Sequence, residues 1–414
     1  MIGRRCVFFI GGYDPKTPAA FFRRLSREME LFETTWDVQS SRSDVATPEG
    51  DVGILTVTSS HRQAAHPQND AYELPAEDRD WQVTTDFYFL GLDSIVTTDA
   101  ARPLSVRLFR YLVAFFDYWL TGTAFSFFSR SWRFALYFLY PFVTTVFLFL
   151  VAFFASSAVL RFLGIDSLAI AMLIALVALF PLLATLGKRW SVTHLMDLWS
   201  FSSEYLRGKR PEAERLMDRY AAIVAQAAKA QPYDEIILVG HSTGGGLILE
   251  MAARSLVADP LLASRDAGVS LLTLGSTALK FGLHPAASAF RARVQTLVDE
   301  PALGWSEFQC LIDVINFYNT DPVVEMALRP RSSGGAAFPV IRKVHLRDMM
   351  GVSRYRQIRR RFFRIHYQFI MGNAQRYFYD FFHICFGPDP LWAITPAAST
   401  ERPAEAVREA GVNP

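Results

Sequence analysis

Residues 240–244 read Gly-His-Ser-Thr-Gly. Four branched apolar residues at 236–239 precede them, and residues 247–256 continue with helical character. The run at 236–239 predicts a strand buried on both faces. Ser242 is therefore placed on a sharp turn between a buried strand and a helix. Amide N–H groups and the helix dipole favour a developing negative charge there. A serine hydroxyl becomes a nucleophile when a base takes its proton and a third group orients that base. Several aspartates follow Ser242, and three histidines, His345, His366 and His383, lie in the chain beyond Asp321, at distances that only folding can close. A glycine-rich turn before a helix also meets phosphate in nucleotide-binding folds, but the chain has no G-x-G-x-x-G and no P-loop lysine.

G-x-S-x-G between strand and helix resembles the nucleophile elbow of the α/β-hydrolase superfamily, and more narrowly its lipase- and esterase-like members, in a membrane-anchored bacterial-type form. The resemblance implies an α/β fold with a mainly parallel sheet and the chain order serine, acid, histidine. The Gly11-Gly12-Tyr13 turn after the apolar run at residues 6–10 resembles the family's oxyanion turn. It implies a hole formed by the amides of Gly12 or Tyr13 and of Thr243. F-Y-N-T-D-P-V-V resembles the acid loop and points to Asp321, just past residues 314–318, which are expected to form a strand. Asp299 and Asp313 precede expected strands and are weaker candidates. His366, after a loop and opening a final helix, is favoured as the base. His345, at the end of the last strand candidate (residues 340–346), is the alternative, and His383 is expected to be structural. His241 is expected to point away from the serine oxygen. No cofactor and no metal is implied. His61 and His66 are read as solvated loop residues.

Further strands are expected at residues 52–58 and 269–274, and helices at 18–32, 211–230 and 285–297. Residues 87–90 fit either a strand or a helix start. Residues 374–386 are expected to be helical, and the tail from about residue 395 to be disordered.

The 414 residues are 51% hydrophobic and 14% aromatic, too apolar for an ordinary soluble enzyme. Residues 134–160 and 167–187 carry no charged side chain and are long enough to span a bilayer core of about 30 Å. They predict a transmembrane hairpin within a helical insertion over residues 100–207. The insertion divides the hydrolase domain into residues 1–99 and 208–394. Residues 104–128 are aromatic but hold Arg107, Arg110 and Asp117, as in a helix lying in the membrane interface. Arg130, Arg133, Lys188 and Arg189 flank the hairpin and only Arg161 lies in its turn. Both termini and the catalytic domain are thus expected in the cytoplasm, at the inner membrane. The six arginines of residues 354–364 are expected to face anionic lipid. Residues 1–12 are too short in apolar run for a signal peptide. Cys6, Cys310 and Cys385 are read as reduced core thiols. A net charge of +2 indicates no nucleic-acid partner.

The expected function is a membrane-bound serine hydrolase that cleaves a carboxylic ester, of lipid acyl type, through Ser242, His366 and Asp321. The alternatives are an acyltransferase using the same acyl-enzyme and a non-catalytic membrane scaffold with a hydrolase fold.

Overall fold

The computed structural model describes residues 1–61, 80–331 and 337–395. His66, most of the polar stretch up to Arg79 and the tail beyond Thr395 lie outside the described residues. One sheet organises the chain. Its strands are β1 (Arg4–Ile10), β2 (Val38–Arg42), β3 (Ala46–Glu49), β4 (Val52–His61), β5 (Gln82–Leu90), β6 (Glu235–His241), β7 (Gly268–Leu274), β8 (Gly304–Gln309) and β9 (Val340–Lys343). The order is β2-β4-β5-β1-β6-β7-β8-β9, with β3 pairing on β4. The six strands from β5 to β9 in that order are parallel, while β4 runs antiparallel to β5 and to β2 and β3. The fold is α/β with a mostly parallel, mixed sheet.

Alternation along the central strands feeds two cores. Cys6, Phe8, Ile10, Ile236 and Leu238 face one, and Val7, Phe9, Ile237 and Val239 face the other. This is why the central strands are apolar almost throughout rather than every second residue. Helix α1 (Pro18–Trp36) covers the second face with Phe21, Phe22, Leu25, Met29 and Phe32. Its start is set by Thr17, whose side chain accepts from the Ala20 amide, and by Pro18 in the first turn.

Between β5 and β6 come α2 (Asp93–Ala101), α3 (Leu104–Leu120), α4 (Thr123–Arg130), α5 (Trp132–Phe162), α6 (Leu168–Leu182), α7 (Val192–Leu206) and α8 (Pro211–Ala230). Helices α5 and α6, the latter prolonged by a π-turn over Leu183–Gly187, are long and apolar enough to cross a membrane. In each, only 17% of the apolar span is buried within the protein. Buried Ala152, Ala171 and Ala175 allow close contact between helices, and most larger apolar side chains point outward. These features suggest membrane association. The first turns of α5 enter the first core with Phe134, Ala135 and Phe138, around Trp199 of α7.

The remaining helices are α9 (Gly244–Ala258), α10 (Ala278–Gly282), α11 (Ser288–Asp299), α12 (Pro322–Glu325), α13 (Leu346–Met350), α14 (Val352–Ile358), α15 (Phe362–Tyr367), α16 (Phe381–Phe386) and α17 (Leu391–Ile394). Three expectations change here. Residues 314–318 form no strand, and the strand is β8, earlier in the sequence at Gly304–Gln309. Residues 104–128 break at Gly122, whose φ is +76°, into α3 and α4. Of residues 374–386 only the last six are helical, capped by the Asp380 carboxylate. The three cysteines are free and buried.

Glu307 of β8 is buried inside the sheet, accepting from Thr273 Oγ1 at 3.0 Å and from Gln309 Nε2 at 2.8 Å. Burial pushes its carboxyl up to about 7, against the two hydrogen bonds that favour the charged form. The native state therefore holds this proton more tightly than the unfolded chain. That contribution to stability is complete below about pH 4 and is lost as pH rises through about 7. Glu307→Gln should remove a pH-dependent term of up to about 3 kcal/mol, at about 1.4 kcal/mol per pH unit. Thermal unfolding in detergent micelles from pH 5 to 9 should show a flatter profile for Glu307→Gln than for the unsubstituted protein.

Candidate active site

Only Ser242 and Thr243 separate β6 from α9. Ser242 has φ 59°, a left-handed conformation that costs a serine about 1–3 kcal/mol. Neighbouring strands hold it there. Its amide donates to Leu274 O at 3.1 Å, and its carbonyl accepts from Gly245 N and Thr277 N, each at 3.0 Å. The flanking glycines are required by close approach. A β-carbon on Gly240 would collide with the Gly244 carbonyl and Ile248, and one on Gly244 with the carbonyl oxygens of Ile10 and Gly11.

The turn after β1 comes to the serine. A β-carbon on Gly12 would lie 3.4 Å from Ser242 Oγ. Among the described residues, the amides of Gly12, Tyr13 and Thr243 donate to no protein acceptor. They are left free for an oxygen that carries negative charge.

His366, on α15, is buried with its Nδ1 2.7 Å from Asp313 Oδ2. Asp313 is also buried, and its other oxygen accepts from Ile315 N at 2.9 Å. A carboxylate that accepts from Nδ1–H leaves the lone pair on Nε2. Nε2 is buried and has no partner. The ring lies over the same strand ends as the serine: Cε1 would be 3.2 Å from a β-carbon on Gly275, next to the Leu274 carbonyl that holds the Ser242 amide. No hydrogen bond joins Ser242 Oγ to His366 Nε2 here. His241 turns its Nε2 to the His366 carbonyl at 3.1 Å, and the two rings are 4.6 Å apart. Burial, and then the neighbouring His366, push His241 well below the ordinary imidazole range, so its ring is neutral. Tyr367 donates to Asp14, one residue past the Gly12-Tyr13 turn, and so joins the histidine segment to that turn.

Asp321 does not meet His366. Its carboxylate caps α12, accepting from Val323 N at 2.8 Å and Val324 N at 3.2 Å. Asp313 occupies the place expected for it. The reason is β8: because the strand is Gly304–Gln309, Asp313 follows its carboxyl end instead of preceding a strand. The sequence G-W-S-E-F-Q holds two large apolar residues and three buried polar ones, so neither periodicity nor an apolar run marks it. His345 is half-exposed at the start of α13 and faces Asp348. His383 is buried against Trp36, with Nε2 3.3 Å from Asp389.

Sequence reasoning also passed over Lys280. It is fully buried on α10, with Nζ 2.8 Å from Thr243 Oγ1 and over the rings of Trp199 and Phe281. Burial drives its ammonium well below the ordinary lysine range. An isolated lysine in T-A-L-K-F-G carries no signal of this in its spacing.

The apolar insertion reaches the site. Phe134 of α5 lies 3.9 Å, centroid to centroid, from Phe317, in the same loop as Asp313. Tyr13 packs against Phe201 and His194 of α7, the helix that follows α6.

Comparison with known proteins gives no matching family model, no matching curated protein and no matching solved structure.

The geometry separates the two aspartates. On a serine-hydrolase reading of this site, Asp313→Asn, which breaks the tautomer control of His366, should lower ester turnover by about a thousandfold or more while the protein stays folded. Asp321→Asn keeps a helix-capping oxygen and should leave turnover near that of the unsubstituted protein. Steady-state hydrolysis of a chromogenic short-chain ester checks both.

Proposed function

We propose that this chain is a membrane-bound serine hydrolase of the α/β-hydrolase type, cleaving a carboxylic ester of lipid acyl class. The observation that carries the reading is the convergence of a left-handed Ser242 with a buried His366–Asp313 pair whose Nε2 has no other partner. In the mechanism, Ser242 Oγ attacks the ester carbonyl as its proton passes to His366 Nε2. Asp313 holds the imidazolium that forms. The amides of Thr243 and of Gly12 or Tyr13 take the oxyanion. Collapse of the tetrahedral intermediate breaks the bond to the leaving oxygen, which receives the proton from Nε2. Water, deprotonated by the same nitrogen, then attacks the acyl-enzyme and frees the acid and Ser242. The gap between Oγ and Nε2 is consistent with a site that tightens when substrate binds.

The membrane part rests on α5 and α6 and on the surface around their base. Among the described residues, the arginines of residues 354–364 make no ion pair, and five of them are exposed. Phe362, in their midst, packs on Tyr140 of α5. Arg130, Arg133, Lys188 and Arg189 belong to the same end of the hairpin. This basic collar fits the anionic headgroups of a cytoplasmic leaflet, with the catalytic domain and both termini on the cytoplasmic side. The contact between Phe134 and Phe317 supports a substrate that arrives along the apolar helices.

A fluorophosphonate ester probe in native membranes should label the protein, and Ser242→Ala should abolish labelling without loss of membrane-bound protein. Labelling that persists in Ser242→Ala removes the nucleophile assignment. The orientation has its own measurement, because the three native cysteines are buried and silent. A cysteine placed at Gly164 should react with an impermeant thiol reagent on intact cells, and one placed at Gly411 should not. The reverse pattern would invert the topology.

A further inference from the structure

Helix α3 has its polarity reversed relative to a helix of a soluble domain. Its charged residues point into the protein. Arg107 pairs with Asp197 at 2.6 Å, and Arg110 grips Glu204 through two bonds of 2.7 Å. Asp117 accepts from Ser203 and Arg207 and faces His284. Its outer stripe is apolar and exposed: Val106, Phe109, Leu112, Val113, Phe116 and Leu120. Spacings of three and four residues make that stripe continuous along the helix. It adjoins α5, where Phe115 of α3 meets Phe142 at 4.7 Å, and α5 in turn packs along α6. Continuity with those helices identifies the occupant of the stripe as the acyl region of the bilayer.

The inward face of α3 leads to the catalytic turn. Arg110 Nη1 donates to Asp99 Oδ1 at 3.1 Å, and Tyr13 Oη donates to Asp99 Oδ2 at 2.7 Å. Arg210 closes on the same carboxylate at 3.0 Å. Asp99 is fully buried at the end of α2 and is not one of the groups that touch substrate. Tyr13 is the residue next to Gly12, against Ser242.

We propose that Asp99 is a positioning residue that couples the seating of α3 in the bilayer to the oxyanion turn, through the chain Arg110–Asp99–Tyr13. The proposal rests on the hydrolase reading above. With the stripe in lipid, the α3 ion pairs hold Asp99, and Asp99 holds the Tyr13 ring and the amides beside it. With the stripe drawn into water, α3 has no reason to keep its depth, and the turn loses its anchor. The bond at stake carries a charged acceptor in a buried place, where such bonds are strongest.

Asp99 itself is a poor target, since its loss would take a shared buried carboxylate from three guanidinium groups, those of Arg102, Arg110 and Arg210. Tyr13→Phe removes one hydroxyl and leaves those ion pairs intact. In the full chain, reconstituted in phosphatidylcholine vesicles, Tyr13→Phe should lower kcat for a soluble short-chain ester by about tenfold to a hundredfold, with KM little changed. The paired substitution Phe109→Asp and Phe116→Asp should lower kcat as well. Combined with Tyr13→Phe, it should add almost nothing, because both act on one link. A kcat for Tyr13→Phe equal to that of the unsubstituted protein overturns the coupling, as do losses that simply multiply. Fluorophosphonate labelling of Ser242 in the unsubstituted protein separates the two levels. Normal labelling with multiplying losses removes the coupling alone, and absence of labelling removes the hydrolase reading and the coupling together.

Discussion

The N-terminus of α9 lies directly on the carboxyl end of β1, with no side chain between them. That approach exists because Gly244 has no β-carbon to strike the carbonyls of Ile10 and Gly11, and Gly240 none to strike Gly244. Much of the site follows from it. The short turn forces Ser242 to φ 59°, and the same closeness sets Gly12 against its side chain. Strain at one residue is carried by three backbone hydrogen bonds to β7, α9 and the start of α10. It is stored where the Ser242 hydroxyl is lifted off the backbone, and relaxed surroundings would let it go.

Charge in this molecule is placed by the same economy of burial. The sheet is flanked by two apolar cores, and a seam of ionic groups runs between α2, α3 and α7. Asp99, Asp117, Asp197 and Glu204 each answer an arginine across that seam. A seam of ion pairs is directional, unlike apolar contact, so it fixes how α3 and α7 sit over the Gly12-Tyr13 turn.

The sequence reveals the elements with the clearest periodicity. β1, β4, β6 and β7, α1, α8 and the two long apolar helices are all legible, because each is an apolar run or a regular amphipathic pattern. Ser242 is legible from five residues and their flanks. His366 and Gly12 could be placed because local context set them beyond a strand. The carboxylate that meets His366 was not legible. β8 buries Ser306, Glu307 and Gln309 with hydrogen bonds supplied by Thr273, Thr395 and Thr320. Burial by partnership leaves no apolar signature, so the expected strand slid to residues 314–318, and the carboxylate expected beside His366 slid with it to Asp321. Proline after Asp321 marked a helix start rather than a catalytic loop. Lys280 is hidden for a related reason: a buried lysine is identified by its surroundings, which only folding assembles.

The order of strands carries one more consequence. β1 and β5 are made before the insertion and β6 after it, yet β1 lies between β5 and β6 and bonds to both. The two lengths of chain are interleaved, not merely adjacent. An excursion that begins and ends inside a single sheet must pass through any bilayer an even number of times. Parity is thus imposed by hydrogen bonds in water, whatever the charges at the helix ends favour. Were α5 and α6 both to cross a bilayer, a chain that lost α6 alone would strand β1 and β6 on opposite sides of it, and its sheet could not close. The sheet would then act as a topological lock on any such hairpin, and the number of crossings could change only in pairs.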